Sequence, residues 1–169
     1  SPTSPYTDTP SPSPTSPPTA TPSPTAGPPP TPFPTGISLN EYMPDPVTDW
    51  NGNGQTGDAD DEYIELYNTG LVSVDVSGSS PYALPAGTLI SPNGFLLMFS
   101  AQTHIALNNG GDTVRLTQPD GAEIETASYA SSHADQAYSK TTEGGGDWTT
   151  TYPPSPGGPN QPPAPSPTP

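Results

Sequence analysis

Proline divides this chain before any other feature is read. Of 29 prolines in 169 residues, 14 fall in residues 1–36 and nine in residues 153–169, which leaves six for the 116 residues between. Proline fixes φ, lacks a backbone N–H and pushes the residue before it toward extended shapes. Segments such as Ser11-Pro12-Ser13-Pro14-Thr15 and Thr21-Pro22-Ser23-Pro24-Thr25 can therefore join neither a helix nor a central strand. Built almost wholly from Pro, Ser and Thr, they also hold too little apolar surface to offset the entropy of ordering. Disordered or polyproline II tails are expected at both ends. At ~3.1 Å per residue the N-terminal tail reaches roughly 110 Å if fully extended. The expected organisation is a Pro/Ser/Thr-rich linker at 1–36, one folded domain at 37–160 and a Pro-rich linker at 161–169. The linkers read as spacers or stalks, open to O-glycosylation.

The middle is patterned for strands. Ile37 and Leu39 alternate with polar residues, as do Ile64 and Leu66 between Tyr63, Glu65 and Tyr67. Val72, Val74 and Val76 share one face, and Val114 and Leu116 another. This is the period of two that marks half-buried strands. Phe95-Leu96-Leu97-Met98-Phe99 is apolar on both faces, as for a central strand under cover. Turn signals separate the runs: Asn68-Thr69-Gly70, Pro92-Asn93-Gly94, Asn109-Gly110-Gly111 and Pro119-Asp120-Gly121. No segment keeps a 3.6-residue period over ten residues. The fold expected is all-β, an immunoglobulin-like antiparallel β-sandwich.

Charge and composition remove several classes of function. With two basic residues against 17 acidic ones, the net charge of −15 opposes nucleic-acid binding, which needs Lys and Arg at phosphates. The absence of cysteine excludes disulfides, thiolate catalysis and Cys-ligated zinc. No apolar run is long enough for a membrane-spanning helix. Ser rather than Met at position 1 reads as a fragment or a processed product. Cysteine-free sequence between Pro/Ser/Thr stalks fits a bacterial secreted or cell-surface protein.

The strongest chemical signal is acidic. Seven of the 17 acidic residues fall between Asp45 and Glu65. Asp49-Trp50-Asn51-Gly52-Asn53-Gly54 fits the opening of a D-x-[DN]-x-[DN]-G calcium loop. Calcium takes six to eight hard oxygens, and short side chains at alternate positions wrap them around one ion. Asp49, Asn51 and Asn53 take the first three ligand slots, and Gln55 contributes its carbonyl. The closing slot falls on Asp60, or on Asp61 if the loop is one residue longer, and Asp58 adds an oxygen or holds a bridging water. The calcium would be structural, since no helix pair flanks the loop. The plain alternative is a solvated acidic hairpin with two Asn-Gly turns.

Other candidates are weaker. His104 and His133 stand among small or polar residues, and Gly144-Gly145-Gly146 has no following Lys to cradle a phosphate. Tyr42, Trp50, Trp148 and Tyr152 offer flat faces for sugar rings, which keeps a carbohydrate-binding module as the alternative; an exposed coplanar pair would favour it. Ordinary core packing explains the same rings.

Taken in order, Leu39-Asn40-Glu41-Tyr42-Met43-Pro44-Asp45-Pro46, Asp61-Glu62-Tyr63-Ile64-Glu65-Leu66-Tyr67-Asn68, Val74-Asp75-Val76-Ser77-Gly78, Leu84-Pro85-Ala86-Gly87-Thr88 and Leu107-Asn108-Asn109-Gly110-Gly111-Asp112-Thr113-Val114-Arg115-Leu116 resemble the bacterial lamin-tail domain. Gln136-Ala137-Tyr138-Ser139-Lys140, Trp148 and Ser155-Pro156-Gly157-Gly158-Pro159-Asn160 resemble its closing pattern. The resemblance implies an immunoglobulin-like sandwich on secreted or surface proteins, where such domains accompany hydrolases and nucleases, and it implies no catalysis. In animal lamins the related domain is an interaction platform. The partners it implies here are neighbouring domains of a larger protein and a cell-surface protein or polysaccharide, with no nucleic acid and no membrane insertion. Two departures stand out. After Gly78 about ten residues, roughly one strand and its turn, are missing. Lys140 also stands where Arg is common, which gives up a bidentate contact.

Overall fold

The computed structural model describes residues 36–70, 74–75, 82, 84–85, 87–118 and 120–166. The expected polyproline tail before residue 36, the outer valines Val72 and Val76 and the missing strand after Gly78 lie outside the described residues. Nine strands and two single helical turns are described. They are β1 (Ile37–Met43), α1 (Asp58–Asp61), β2 (Tyr63–Asn68), β3 (Val74–Asp75), β4 (Leu89–Ile90), β5 (Phe95–Phe99), α2 (Ser100–Thr103), β6 (Asp112–Thr117), β7 (Glu123–Tyr129), β8 (Tyr138–Thr142) and β9 (Gly145–Thr149).

The fold is an all-β, immunoglobulin-like sandwich of antiparallel strands. One sheet has the order β5-β2-β1-β8-β9, and β3-β4 and β6-β7 form separate two-stranded ladders. The main core gathers Ile37, Leu39, Tyr42 and Leu66 from the large sheet, Val114, Leu116, Ala127 and Tyr129 from β6 and β7, and Leu84, Ile90 and Leu107 between them. The period of two placed Ile37, Leu39, Leu66, Val114 and Leu116 of this set inward; the others join it from loops, from β4 and β7, and from beyond an irregularity in β1.

β1 changes parity partway along. Its pairing with β2 slips between Leu39 and Glu41. A bulge inserts one residue, so side chains beyond it swap faces. Ile37 and Leu39 enter the main core from odd positions, and Tyr42 enters it from an even one. Met43 is sent to the opposite face, where it packs with Tyr63, Phe99 and Ala137 in a second apolar cluster.

That opposite face is where sequence patterning misleads. Tyr63, Glu65 and Tyr67 read as the wet side of β2, yet all three are buried. The chain after β9 crosses this face, where Ser155 and Gly157 donate to the carboxylates of Glu41 and Glu65 and Asn160 donates to the Asn40 carbonyl. A second correction concerns β5. The apolar run Phe95–Phe99 reads as a central strand, but among the described residues it is an edge of the five-stranded sheet and pairs with β2 alone. Its first four residues are half-buried rather than enclosed. Its apolarity serves both faces of an edge: Met98 and Leu96 pack on the main core, and Leu97 on the second cluster.

Candidate metal centre

The acidic loop joins β1 to β2 and is clamped at its base by the cross-strand pair Met43 and Tyr63. Inside it, short side chains fold back on the backbone. Asp49 accepts the Asn53 N–H at 3.0 Å through Oδ1 and the Gly54 N–H at 2.7 Å through Oδ2. Asn51 Oδ1 accepts the same Asn53 N–H at 3.0 Å, and Asn53 Oδ1 accepts the Gln55 N–H at 2.8 Å. This ladder needs glycine at its corners: Gly52 and Gly54 sit at φ 72° and 88°, the left-handed region that side chains disfavour.

The far arm of the loop returns as α1, a helical turn that the sequence reading did not include. Asp60 on this turn accepts the side-chain amide of Asn51 at 2.9 Å and that of Asn53 at 2.9 and 3.1 Å. Asp61 is completely buried and takes the Trp50 and Asn51 N–H groups on Oδ1 at 2.9 and 3.1 Å. Its Oδ2 is buried without a hydrogen-bond partner. An uncompensated buried carboxylate oxygen is costly, so it marks a place where a cation or water belongs.

Asp49, Asn51, Asn53, Asp60 and Asp61 thus form one hydrogen-bonded unit. Gln55 is exposed beside it. Asp58 turns away: its carboxylate accepts the Asn109 amide at 3.0 Å, and its carbonyl accepts the Ser100 hydroxyl. Among the described residues, no three Asp, Glu or His side chains converge as a ready-made metal cage. The loop's donor set is instead mixed: carboxylate, amide and main-chain oxygens, all hard, as calcium prefers.

Two residues beyond the ligand candidates matter to the loop: Asp135, from a turn distant in sequence, and Glu62, at the end of the acidic run. Asp135, on the turn before β8, accepts the N–H groups of Val47 and Thr48, the Thr48 hydroxyl and the Trp50 indole N–H. Its own N–H donates to the Asp45 carbonyl at 2.8 Å. Burial raises the Asp135 carboxyl, but these donors outweigh it and hold the pKa below the ordinary value. Glu62, at the loop's exit, is 2% exposed and accepts the Leu107 N–H at 2.7 Å. Burial pushes its pKa up to about 7; the Leu107 N–H opposes the rise, and Asp58, Asp112 and Asp45 add to it.

On the covered face of the large sheet lies a second polar network. Asn40, at the β1 bulge, donates to Glu65 Oε1 and Glu143 Oε2, both at 2.9 Å, and accepts the Gly144 N–H. Glu41 accepts from Ser139 Oγ and from the Ser155 N–H and hydroxyl. Glu65 also accepts the Gly157 N–H at 2.6 Å. Asn160 donates to the carbonyls of Asn40 and Lys140. Burial is the chief cause of raised pKa values at Glu41 and at Glu65, the latter to about 7.

The aromatic candidates are used structurally. Tyr42 is buried, stacked on Tyr138 at 7° and met edge-on by Trp148. Lys140 lies 4.6 Å over the Trp148 ring and pairs with Glu125 at 2.9 Å, so the position that lacks a bidentate Arg keeps an ion pair and a cation–π contact. Trp50 is half-buried, with its N–H on Asp135. Tyr152 is half-buried. The imidazoles of His104 and His133 have no hydrogen-bond partner among the described residues, so neither is oriented as a general base would be.

A model of the lamin tail domain family matches residues 30–131. No curated protein and no solved structure matches the chain. The family match ends before β8, whereas the polar network runs on to Asn160.

Proposed function

The chain belongs to the lamin tail domain family, a non-enzymatic immunoglobulin-like family, and from that premise we propose that it is a non-catalytic interaction or spacer module of a secreted or cell-surface bacterial protein, stabilised by one structural calcium in the β1–β2 loop. The observation that carries the calcium is Asp61: a fully buried carboxylate with one oxygen engaged by loop N–H groups and the other without a partner. Asp49, Asn51, Asn53, the Gln55 carbonyl, Asp60 and Asp61 would hold the ion, with Asp58 at the rim. Bound calcium would supply the positive charge that this loop lacks. The chain's own contribution is the rigid frame, with Asp135 tying the loop's first arm to the turn before β8.

The aromatic positions support an interaction or spacer role over carbohydrate binding. Among the described ring contacts, the one near-parallel pair, Tyr42 and Tyr138, has Tyr42 in the core.

The test is thermal unfolding in EDTA and in millimolar calcium, for the natural chain and for Asp49→Ala. An ion that binds the native state alone at 100 times its Kd stabilises by about 2.7 kcal/mol. A rise in Tm of several degrees that disappears in the variant is the expected result. Equal Tm values with and without calcium would remove the ion from the proposal.

A further inference from the structure

The sequence holds four Asn-Gly pairs, at Asn51, Asn53, Asn93 and Asn109. Asn-Gly is the pair at which a backbone amide most easily attacks a side-chain amide, because glycine puts no Cβ in the way. Sequence alone ranks the four alike. The structure does not. The Gly54 N–H donates to Asp49 Oδ2 at 2.7 Å, the Gly94 N–H to the Ser91 carbonyl at 2.8 Å, and the Gly110 N–H to Asn108 Oδ1 at 2.9 Å. The Gly52 N–H alone of the four donates to no group among the described residues.

We propose that Asn51-Gly52 is this chain's site of spontaneous deamidation. The Gly52 nitrogen must lose its proton and form a bond to Asn51 Cγ. A hydrogen bond to a carboxylate or carbonyl shields that proton from base and fixes the peptide, and Gly52 is free of both constraints. It is exposed, and beyond its two chain neighbours no atom stands within 4 Å of where a Cβ would lie, so its peptide has room to turn. The electrophile is also prepared. Asn51 Oδ1 accepts the Asn53 N–H, which draws electron density from Cγ and folds the side chain over its own next peptide. Asn53 makes the same turn onto Gln55 but has its glycine N–H held by Asp49, so it is the internal control. As the N–Cγ bond forms, the Cγ–Nδ2 bond breaks and ammonia leaves, taking up the proton lost from Gly52. Water then opens the succinimide at either carbonyl, leaving aspartate or isoaspartate at position 51. The new carboxylate would face Asp60 where Asn51 now donates an N–H at 2.9 Å, so the loop becomes more acidic as the protein ages. This inference does not depend on the calcium reading.

The test incubates the full chain in EDTA at mildly alkaline pH. Peptide mapping by tandem mass spectrometry follows amide-to-acid conversion at each Asn, in native buffer and in urea. Because a hydrogen bond to a charged acceptor must be broken first at Asn53, conversion at Asn51 should be about tenfold faster or more. It should also lead Asn93 and Asn109, and the lead should vanish in urea. In Asp49→Ala the Gly54 N–H is released, and Asn53 should rise toward the rate of Asn51; unchanged rates at Asn93 and Asn109 report that the fold holds. Equal rates in the folded chain, a lead at another Asn, a lead that persists in urea, or an unmoved Asn53 in the variant would each overturn the proposal.

Discussion

Replacing Asn40 by Asp changes almost no volume and inverts the chemistry at the centre of the covered face. The Asn40 amide is fully buried and donates to two carboxylates, Glu65 Oε1 and Glu143 Oε2, each at 2.9 Å. Aspartate at this position keeps an acceptor for the Gly144 N–H but offers nothing to either glutamate. A hydrogen bond to a charged acceptor contributes ~1.5–3 kcal/mol and one to a neutral acceptor ~0.5–1.5; with Glu65 about half ionised at pH 7, losing both costs about 2–6 kcal/mol before any repulsion among the carboxylates. Against a total of ~5–15 kcal/mol for a small domain, that is a large share of the margin. The assay is urea unfolding in EDTA at pH 7 and pH 5, read as the midpoint with the slope checked for two-state behaviour. The penalty should be largest at pH 7 and shrink at pH 5. Glu65 titrates near 7 in the folded protein, so at pH 5 its carboxyl holds a proton that can be donated to Asp at position 40. A penalty below about 1 kcal/mol at pH 7 would show that Asn40 bridges nothing of consequence. A penalty that does not change with pH would show that Glu65 remains ionised throughout.

Other outcomes follow from the same structure. In the natural chain, Glu62 and Glu65 have folded pKa values near 7 against an ordinary 4.5, and Glu41 is raised in the same direction. Groups whose folded pKa is raised favour the folded state most below the ordinary value and lose that contribution as pH rises toward 7; for Glu62 and Glu65 this is at most ~3 kcal/mol each. Calorimetry in EDTA should therefore give a higher Tm at pH 5 than at pH 7.5, and the reverse order would refute the desolvation argument. Gly111→Ala should destabilise by about 2 kcal/mol or more, because φ is 118° and a Cβ would stand 2.9 Å from the Tyr129 carbonyl oxygen. Gly52→Ala, with open space at its Cβ and φ 72°, should cost only about 1 kcal/mol; equal losses at the two sites in urea titrations would sink the distinction.

The main core was legible because one face of each strand meets apolar neighbours, and that alone sets a period of two. Ile64 with Leu66 and Val114 with Leu116 follow it directly. The covered face was not legible. Its residues, Asn40, Glu41, Glu65 and Ser139, are polar because their partners are polar, and those partners lie about a hundred residues away in Ser155, Gly157 and Asn160. Polar residues on alternate strand positions are the ordinary mark of solvent, and only tertiary pairing distinguishes the two cases. The bulge at Asn40 hides for the same reason: parity changes there without a Gly or Pro to announce it. In the loop, the local ladder from Asp49 to Gln55 could be read from spacing, since Asx turns are sequence-local. The departure of Asp58 to Asn109 and the hold of Asp135 on Val47, Thr48 and Trp50 could not.

The loop and the covered face share the β1–β2 pair, yet among the described residues they share no hydrogen-bond partner. Asp61 serves the N–H groups of Trp50 and Asn51, while Asn40 serves Glu65, Glu143, Gly144 and, through its carbonyl, Asn160. Between them stand Met43 and Tyr63, packed in an apolar cluster. Sites without common partners add within about 0.5 kcal/mol. Asp61→Asn retains the volume of Asp61 and removes its charge, so combining it with Asn40→Asp tests whether electrostatics crosses that cluster. The double variant should lose the sum of the two single losses in urea unfolding. A coupling above about 1 kcal/mol would mean that the two networks act as one, through a shift of the β1–β2 register at the bulge. The domain would then have a single polar framework running from its acidic loop to its C-terminal strap.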